Sequence, residues 1–184
     1  FDDGPSGNTP KLLELFEREG VRATLFMKGK GIADWPAIVR EAAAKGHEIG
    51  NHTYTHADLS KLDEAAARRE IEQTQNVARD LAGVDMKVFR APFLRHSDVV
   101  WDVLTEMNLP AINSSASVRD WEESTTVEQI IERATRDVGP GSIILMHSWS
   151  DKTYEALPQI IEKLKSQGLQ CVTVSELLAA AETP

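Results

Sequence analysis

The sequence predicts an α/β fold built on a parallel sheet or barrel, and three observations carry that prediction. Short apolar runs rich in β-branched residues alternate with longer stretches of helical periodicity. Glycines stand where those helical stretches should stop, at Gly20, Gly46, Gly83 and Gly168. Residues able to do chemistry follow the apolar runs, and in parallel α/β folds chemistry collects at the C-terminal ends of strands.

Taken in order, the chain opens on Phe-Asp-Asp-Gly-Pro (1–5), which reads as the end of a strand entering a turn. Phe1 would be the last residue of a first strand absent from the given chain. Further strands are predicted over 21–27, 47–50, 87–90, 110–113, 142–146 and 170–174. Helices are predicted over 10–19, 36–45, 63–82, 98–107, 126–138 and 154–167. The third helix is the clearest. Ala67, Ile71, Thr74, Ala78 and Leu81 recur every three or four residues and form one buried face, and the acidic remainder reads as solvated. No repeat, low-complexity tract or linker interrupts the 184 residues, so one domain spanning 1–184 is expected.

A formal net charge of -9 argues against a nucleic-acid partner, because phosphate binding wants a basic face; a neutral substrate fits better. No apolar run reaches the length that spans a bilayer, so no membrane partner is expected. The chain starts without Met and without a signal segment, which reads as a processed or trimmed product. Cys171 is the sole cysteine, which excludes a disulfide framework and a thiolate metal cage. Its apolar surroundings make it a small buried hydrophobe.

The strand ends converge on one rim. Asp2 and Asp3 follow the first strand, and His52 and His56, in His-Thr-Tyr-Thr-His, follow the 47–50 strand. Arg90, Pro92 and Phe93 follow 87–89; Asp120 and Trp121 lie in a loop after 110–113; His147 ends the 142–146 strand. On one helical turn, two imidazoles four residues apart share a face and suit one cation, with a carboxylate as third ligand and a position left for water. Taken alone such a pair is more often a surface coincidence; a carboxylate pair on the same rim shifts the balance toward a metal site. Of two adjacent aspartates one can ligate while the other handles a proton. Arg90 reads either as an ion pair or as the group that keeps a carboxylate ionised and oriented. His147 is either a hydrogen-bonded core residue or a general acid. Trp121 is either core or the wall of a sugar or acetyl pocket. His47 reads as structural and His96 as a solvated loop residue.

In this order these residues resemble the five motifs of the polysaccharide deacetylases of the NodB-homology type, carbohydrate esterase family 4. Phe1–Pro5 matches the first motif, His52 to His56 the second, and Arg-Ala-Pro-Phe at 90–93 the third. Ser-Val-Arg-Asp-Trp at 117–121 takes the place of the fourth, and Ile-Ile-Leu-Met-His at 143–147 that of the fifth. The resemblance implies a distorted (β/α)7 barrel and a divalent metal ion, zinc foremost and cobalt as an option. It casts Asp2 as base, Asp3, His52 and His56 as metal ligands, Arg90 as the group orienting Asp2, and His147 as acid. The Phe93 N–H would serve the oxyanion, and Trp121 and Leu145 would line the acetyl pocket.

The implied activity is hydrolysis of acetyl groups from a polysaccharide by metal-activated water. Its substrate would be N-acetylglucosamine units of chitin or peptidoglycan, or O-acetyl groups of xylan. The implied partner is an acetylated carbohydrate polymer or oligomer, acted on by an extracytoplasmic or secreted monomer. Two departures stand out. Ser117 lies where the family has an aspartate that tunes the catalytic histidine, so either Asp120 takes that role or His147 goes without. Phe93-Leu94 replaces a Tyr-Gly pair, which predicts a reshaped loop. The alternative reading is a catalytically impaired carbohydrate-binding module, which Ser117 favours.

Overall fold

In the computed structural model, residues 1–181 are described. Strand β1 (Thr24–Met27) pairs in parallel with β2 (Glu48–Asn51), with Thr24 opposite Glu48 and Met27 opposite Asn51. Parallel bridges then join Asn51 to Phe89 and Phe89 to Ala111. Strand β3 (Ala116–Ser117) pairs in parallel with β4 (Ile144–Leu145). Segment 1–4 lies between the two ends, with Asp2 bridged to His147 and Gly4 to Met27. Segment 1–4, β1, β2, the segment at Phe89, the single segment that carries Ala111 and β3, and β4 thus form six parallel positions of the distorted barrel the sequence implies.

The ladders are short, and two expectations are corrected. The predicted strand 170–174 does not form. Thr173-Val-Ser-Glu176 is a helix-start box: the Thr173 N–H donates to Glu176 Oε2 (2.8 Å) and the Glu176 N–H to Thr173 Oγ1 (3.3 Å). Helix α8 (Val174–Ala181) therefore starts inside the expected strand, and the Val174 N–H goes to the Thr24 hydroxyl. An apolar cavity of about 380 Å3 lies beside this segment, lined by Phe1, Phe16, Thr24, Ile143, Cys171 and Val174. Cys171 is half-buried at the core's edge, not fully inside, and burial raises its thiol pKa. β3 extends the predicted 110–113 strand into a stretch expected as loop, and among the described residues no seventh position is paired.

The helices are α1 (Thr9–Glu19), α2 (Gly29–Asp34), α3 (Pro36–Ala44), α4 (Glu64–Val77), α5 (Asp98–Glu106), α6 (Val127–Thr135) and α7 (Asp151–Ser166), besides α8. All but α2 and α8 fall on predicted helical stretches. Asp63 caps α4 by accepting the Ala66 N–H (2.8 Å), and Gly83 ends its run in the left-handed region at φ 68°. Between them, α4 passes into a π-helical turn, Ala78–Ala82. The wider turn shifts the register, so Leu81 is 44% exposed and Ala82 is buried, contrary to the predicted face. One core cluster joins α1, β1, α6 and α7; a second gathers Ile71, Phe89, Val100 and Val103. No helix among the described residues is long and apolar enough to cross a membrane.

Candidate active site

The C-terminal ends of the strands bring Asp3, His52 and His56 together, with their ligating atoms within 4.8 Å of one another. Asp3 Oδ1 lies 3.1 Å from His56 Nε2 and 3.8 Å from His52 Nε2. A helical turn does not produce this, contrary to the sequence reading. The 52–56 stretch is a loop, with Thr53 at φ 62° and His56 at φ 65°. Glu70 of α4 clamps the loop by accepting from the Tyr54 N–H, the Thr55 N–H and the Thr55 hydroxyl. Asn51 accepts the Thr53 N–H at 2.9 Å. Asp3, Thr53, His56, Phe93 and Leu94 all hold positive φ, so five of the seven left-handed non-glycine residues line this rim.

The donor set fits a divalent metal ion. His52 Nδ1 donates to the Arg90 carbonyl at 2.7 Å, which fixes the tautomer and turns the Nε2 lone pair toward Asp3. Asp3 Oδ1 is buried and has no hydrogen-bond partner among the described residues. Zinc bonds near 2.0–2.1 Å set tetrahedral ligand atoms roughly 3.4 Å apart, close to the spacing seen. Burial lowers the pKa of both His52 and His56 despite the neighbouring carboxylates, so both imidazoles stay neutral and able to ligate. Burial alone would raise Asp3, but His56, Lys28 and the Trp149 hydrogen bond outweigh it and hold the carboxyl low.

Asp2 sits beside this cluster and is 4% exposed. Arg90, itself 1% exposed, donates from Nη1 to Asp2 Oδ1 at 2.8 Å. Its Nε and Nη2 go to the Ile112 and Asn113 carbonyls, and its guanidinium lies over Phe26 at 4.2 Å. Burial pushes the Asp2 pKa up, but His52 whenever it is protonated, the Arg90 charge and the Arg90 hydrogen bond bring it below the ordinary carboxylate range.

Across the rim, Asp120 takes up His147 completely. Its Oδ1 lies 2.7 Å from His147 Nδ1, its Oδ2 accepts the His147 backbone N–H at 2.8 Å, and Thr153 Oγ1 donates to it at 2.5 Å. In motif four it is thus Asp120, and not Ser117, that hydrogen-bonds His147. Ser117 Oγ, by contrast, is buried without a partner. Trp121 stands edge-on to His147 at 5.3 Å and is 48% exposed, a wall and not core. Leu145 is buried two residues before His147, hence on the same side of the strand. Phe93 lies at φ 58° in a 3₁₀ turn, its ring 4.8 Å from that of His56. The N–H groups of Leu94 and Arg95 reach the Ala91 and Pro92 carbonyls, whereas that of Phe93 has no acceptor among the described residues.

The histidines read as bland stay so. His47 is buried against Phe16 and accepts the Ala23 N–H; burial lowers its pKa to about 4. His96 lies against Trp101. Two contributors were missed: Glu70, which looked like one more acid on a solvated helix face, and Trp149. The indole Nε1 of Trp149 donates to Asp3 Oδ2 at 3.1 Å. Its signal was an aromatic two residues beyond the motif histidine.

Known proteins resemble the chain in sequence and in fold. The sequence pattern described as polysaccharide deacetylase matches residues 1–112. A bifunctional xylanase/deacetylase of Pseudobutyrivibrio xylanivorans is 38% identical over 96% of this chain, which spans 29% of that protein. A peptidoglycan-N-acetylglucosamine deacetylase of Bacillus cereus is 33% identical over 99% of this chain and 68% of its own length. The crystal structure of the Xyl-CE4 domain of a multidomain xylanase, from the hindgut metagenome of Trinervitermes trinervoides, superposes with a TM-score of 0.93. It is 36% identical, over 100% of this chain and 89% of that one.

Proposed function

The chain belongs to the polysaccharide deacetylase family, and on that premise we propose that it is a metal-dependent hydrolase removing acetyl groups from a carbohydrate polymer. The observation that carries the reading is the Asp3–His52–His56 cluster, with its orphaned buried oxygen, facing a preset Asp120–His147 pair on the same rim. A divalent ion at Asp3, His52 and His56, zinc foremost, would acidify a water and polarise the acetyl carbonyl.

The chain's own groups do the rest. Asp2, kept ionised by Arg90, takes the proton of the attacking water. The Phe93 N–H faces the developing oxyanion. His147, protonated at Nε2 while Nδ1–H is held by Asp120, gives its proton to the departing amine or alkoxide as the acyl bond breaks. Acetate and a deacetylated sugar result. Trp121 and Leu145 bound the methyl pocket.

We take residues 1–184 as one such unit, working as a monomer outside the cytoplasm, where the polymers named for its relatives lie. The alternative of a sugar-binding module without turnover rested on Ser117, and the Asp120–His147 hydrogen bond weighs against it. The test is acetate release by metal-stripped protein, with zinc or cobalt restored, on N-acetylglucosamine oligomers and acetylated xylan side by side. Metal-dependent release supports the reading and the preferred polymer names the substrate; no release from either, with metal bound, overturns it.

A further inference from the structure

A carboxylate that ligates through one oxygen has a second oxygen to dispose of. Left free, it swings about the Cβ–Cγ bond, offers either oxygen, or closes on the ion with both. At Asp3 the two oxygens are already distinguished. Oδ1 faces the His52 and His56 nitrogens and has no hydrogen-bond partner among the described residues, while Oδ2 accepts from the Trp149 indole N–H at 3.1 Å.

The residue is 44% exposed, but its backbone is well fixed and its ring has one aromatic neighbour. Its ring tilts onto His147 at 5.5 Å, its carbonyl accepts from Asn8 Nδ2 at 2.9 Å, and Ser150 next to it caps α7 by accepting the Thr153 N–H. Ser148 before it is tied to the Asp2 carbonyl through both its N–H and its hydroxyl. The other group near Asp3, Lys28 Nζ, stands 3.7 Å from Oδ1 and so does not restrain Oδ2.

We propose that Trp149 is a positioning residue: its indole N–H holds Asp3 to single-oxygen ligation and keeps one coordination position open, while its ring packs on His147. The inference rests on the metal reading above. Hydrogen bonds to a ligand's outer atom set its orientation and basicity, and their loss typically costs about 10–100-fold in metal affinity or activity.

The experiment compares wild type, Trp149→Phe and Trp149→Ala. Zinc affinity is read by competition with a chromogenic chelator, and the visible absorption of the cobalt form reports coordination number. Trp149→Phe keeps a ring against His147 and loses only the donor. It should bind zinc about tenfold more weakly, and its cobalt form should absorb more weakly, as added coordination by the second oxygen requires. Trp149→Ala should lose the same affinity and, at saturating zinc, more turnover than the Phe variant. Thermal unfolding of the metal-free proteins checks folding; should the Ala variant not fold, the Phe variant carries the test alone. Trp149→Phe binding zinc within twofold of wild type, with an unchanged cobalt spectrum, overturns the proposal alone. Wild-type protein that takes up no zinc overturns the metal reading and this one with it.

Discussion

The two halves of the rim are built on opposite plans. On one side, Asp3, His52 and His56 point donor atoms at one another across a gap, with a buried oxygen unmatched and left-handed backbone at Asp3, Thr53 and His56. On the other, Asp120 and His147 satisfy each other through ring and backbone, with Thr153 completing the carboxylate. The first half is complete only with something added; the second needs nothing. Buried polar atoms are almost always matched, so an unmatched one beside two neutral imidazoles marks a place for a cation.

The sharpest break between the halves comes from removing one member of each. His52→Ala should lose zinc uptake and acetate release together, because the open half has no substitute for a missing ligand. Next in size, His147→Ala should lose about 10²–10⁴-fold in turnover, the usual scale for a general acid or base. Its zinc affinity should stay within twofold of wild type by chelator competition. Asp2→Asn belongs with His147→Ala: Asn keeps an acceptor for Arg90 but cannot take a proton, so turnover should fall on that scale with zinc retained. Residual activity near wild type would remove Asp2 from the role of base.

A smaller effect separates the halves by stability. Zinc bound at the open half of the folded protein should stabilise it by about 2.7 kcal/mol at a hundredfold excess over Kd, or roughly 5–10 °C in Tm for a chain of this size, if the proposed site is the one it takes. The same shift should appear in Asp120→Asn and vanish in His56→Ala. A zinc-dependent rise in His56→Ala would place the ion elsewhere.

What the sequence made legible follows the same division. The gathering of the candidate ligands with Asp2, Arg90 and His147 could be read because each follows a strand-like run. Parallel folds gather such residues at one end. The means of bringing them together could not be read. His52 and His56 have helical spacing, yet a loop clamped by Glu70 places them, and Glu70 lies in an acidic helix among many carboxylates with nothing local to single it out. The 170–174 strand failed for a reason that was legible: its apolar run outweighed a Thr-x-x-Glu box in the same residues. Leu81 failed because periodicity assumes 3.6 residues per turn and the π-helical turn breaks that count. Two-residue β3 had too few side chains to show a pattern at all.

The smallest prediction concerns His47, a histidine in neither half, and it decides how any loss of activity in acid should be read. Its pKa is about 4 in the folded protein, lowered first by burial, against 6.5 when exposed. Between those values the unfolded chain binds a proton that the folded chain refuses, so stability should fall as pH drops from about 6.5 to 4 and lose nothing further from His47 below that. One proton gives a slope of at most about 1.4 kcal/mol per pH unit. The metal-free site adds His52 and His56, lowered in the same direction, whereas Asp2 and Asp3 act only below their ordinary value of 3.8. Zinc bound at the site would hold His52 and His56 deprotonated, so urea unfolding at saturating zinc leaves His47 as the main histidine contribution, with the buried Phe1 ammonium, lowered to about 6, acting only at the top of the window. There His47→Gln should flatten the slope across this window whatever it does to the midpoint itself. An acid loss of turnover that persists in His47→Gln at a pH where the protein is fully folded then belongs to the rim. A slope unchanged by His47→Gln would mean that burial does not hold His47 neutral in the folded protein.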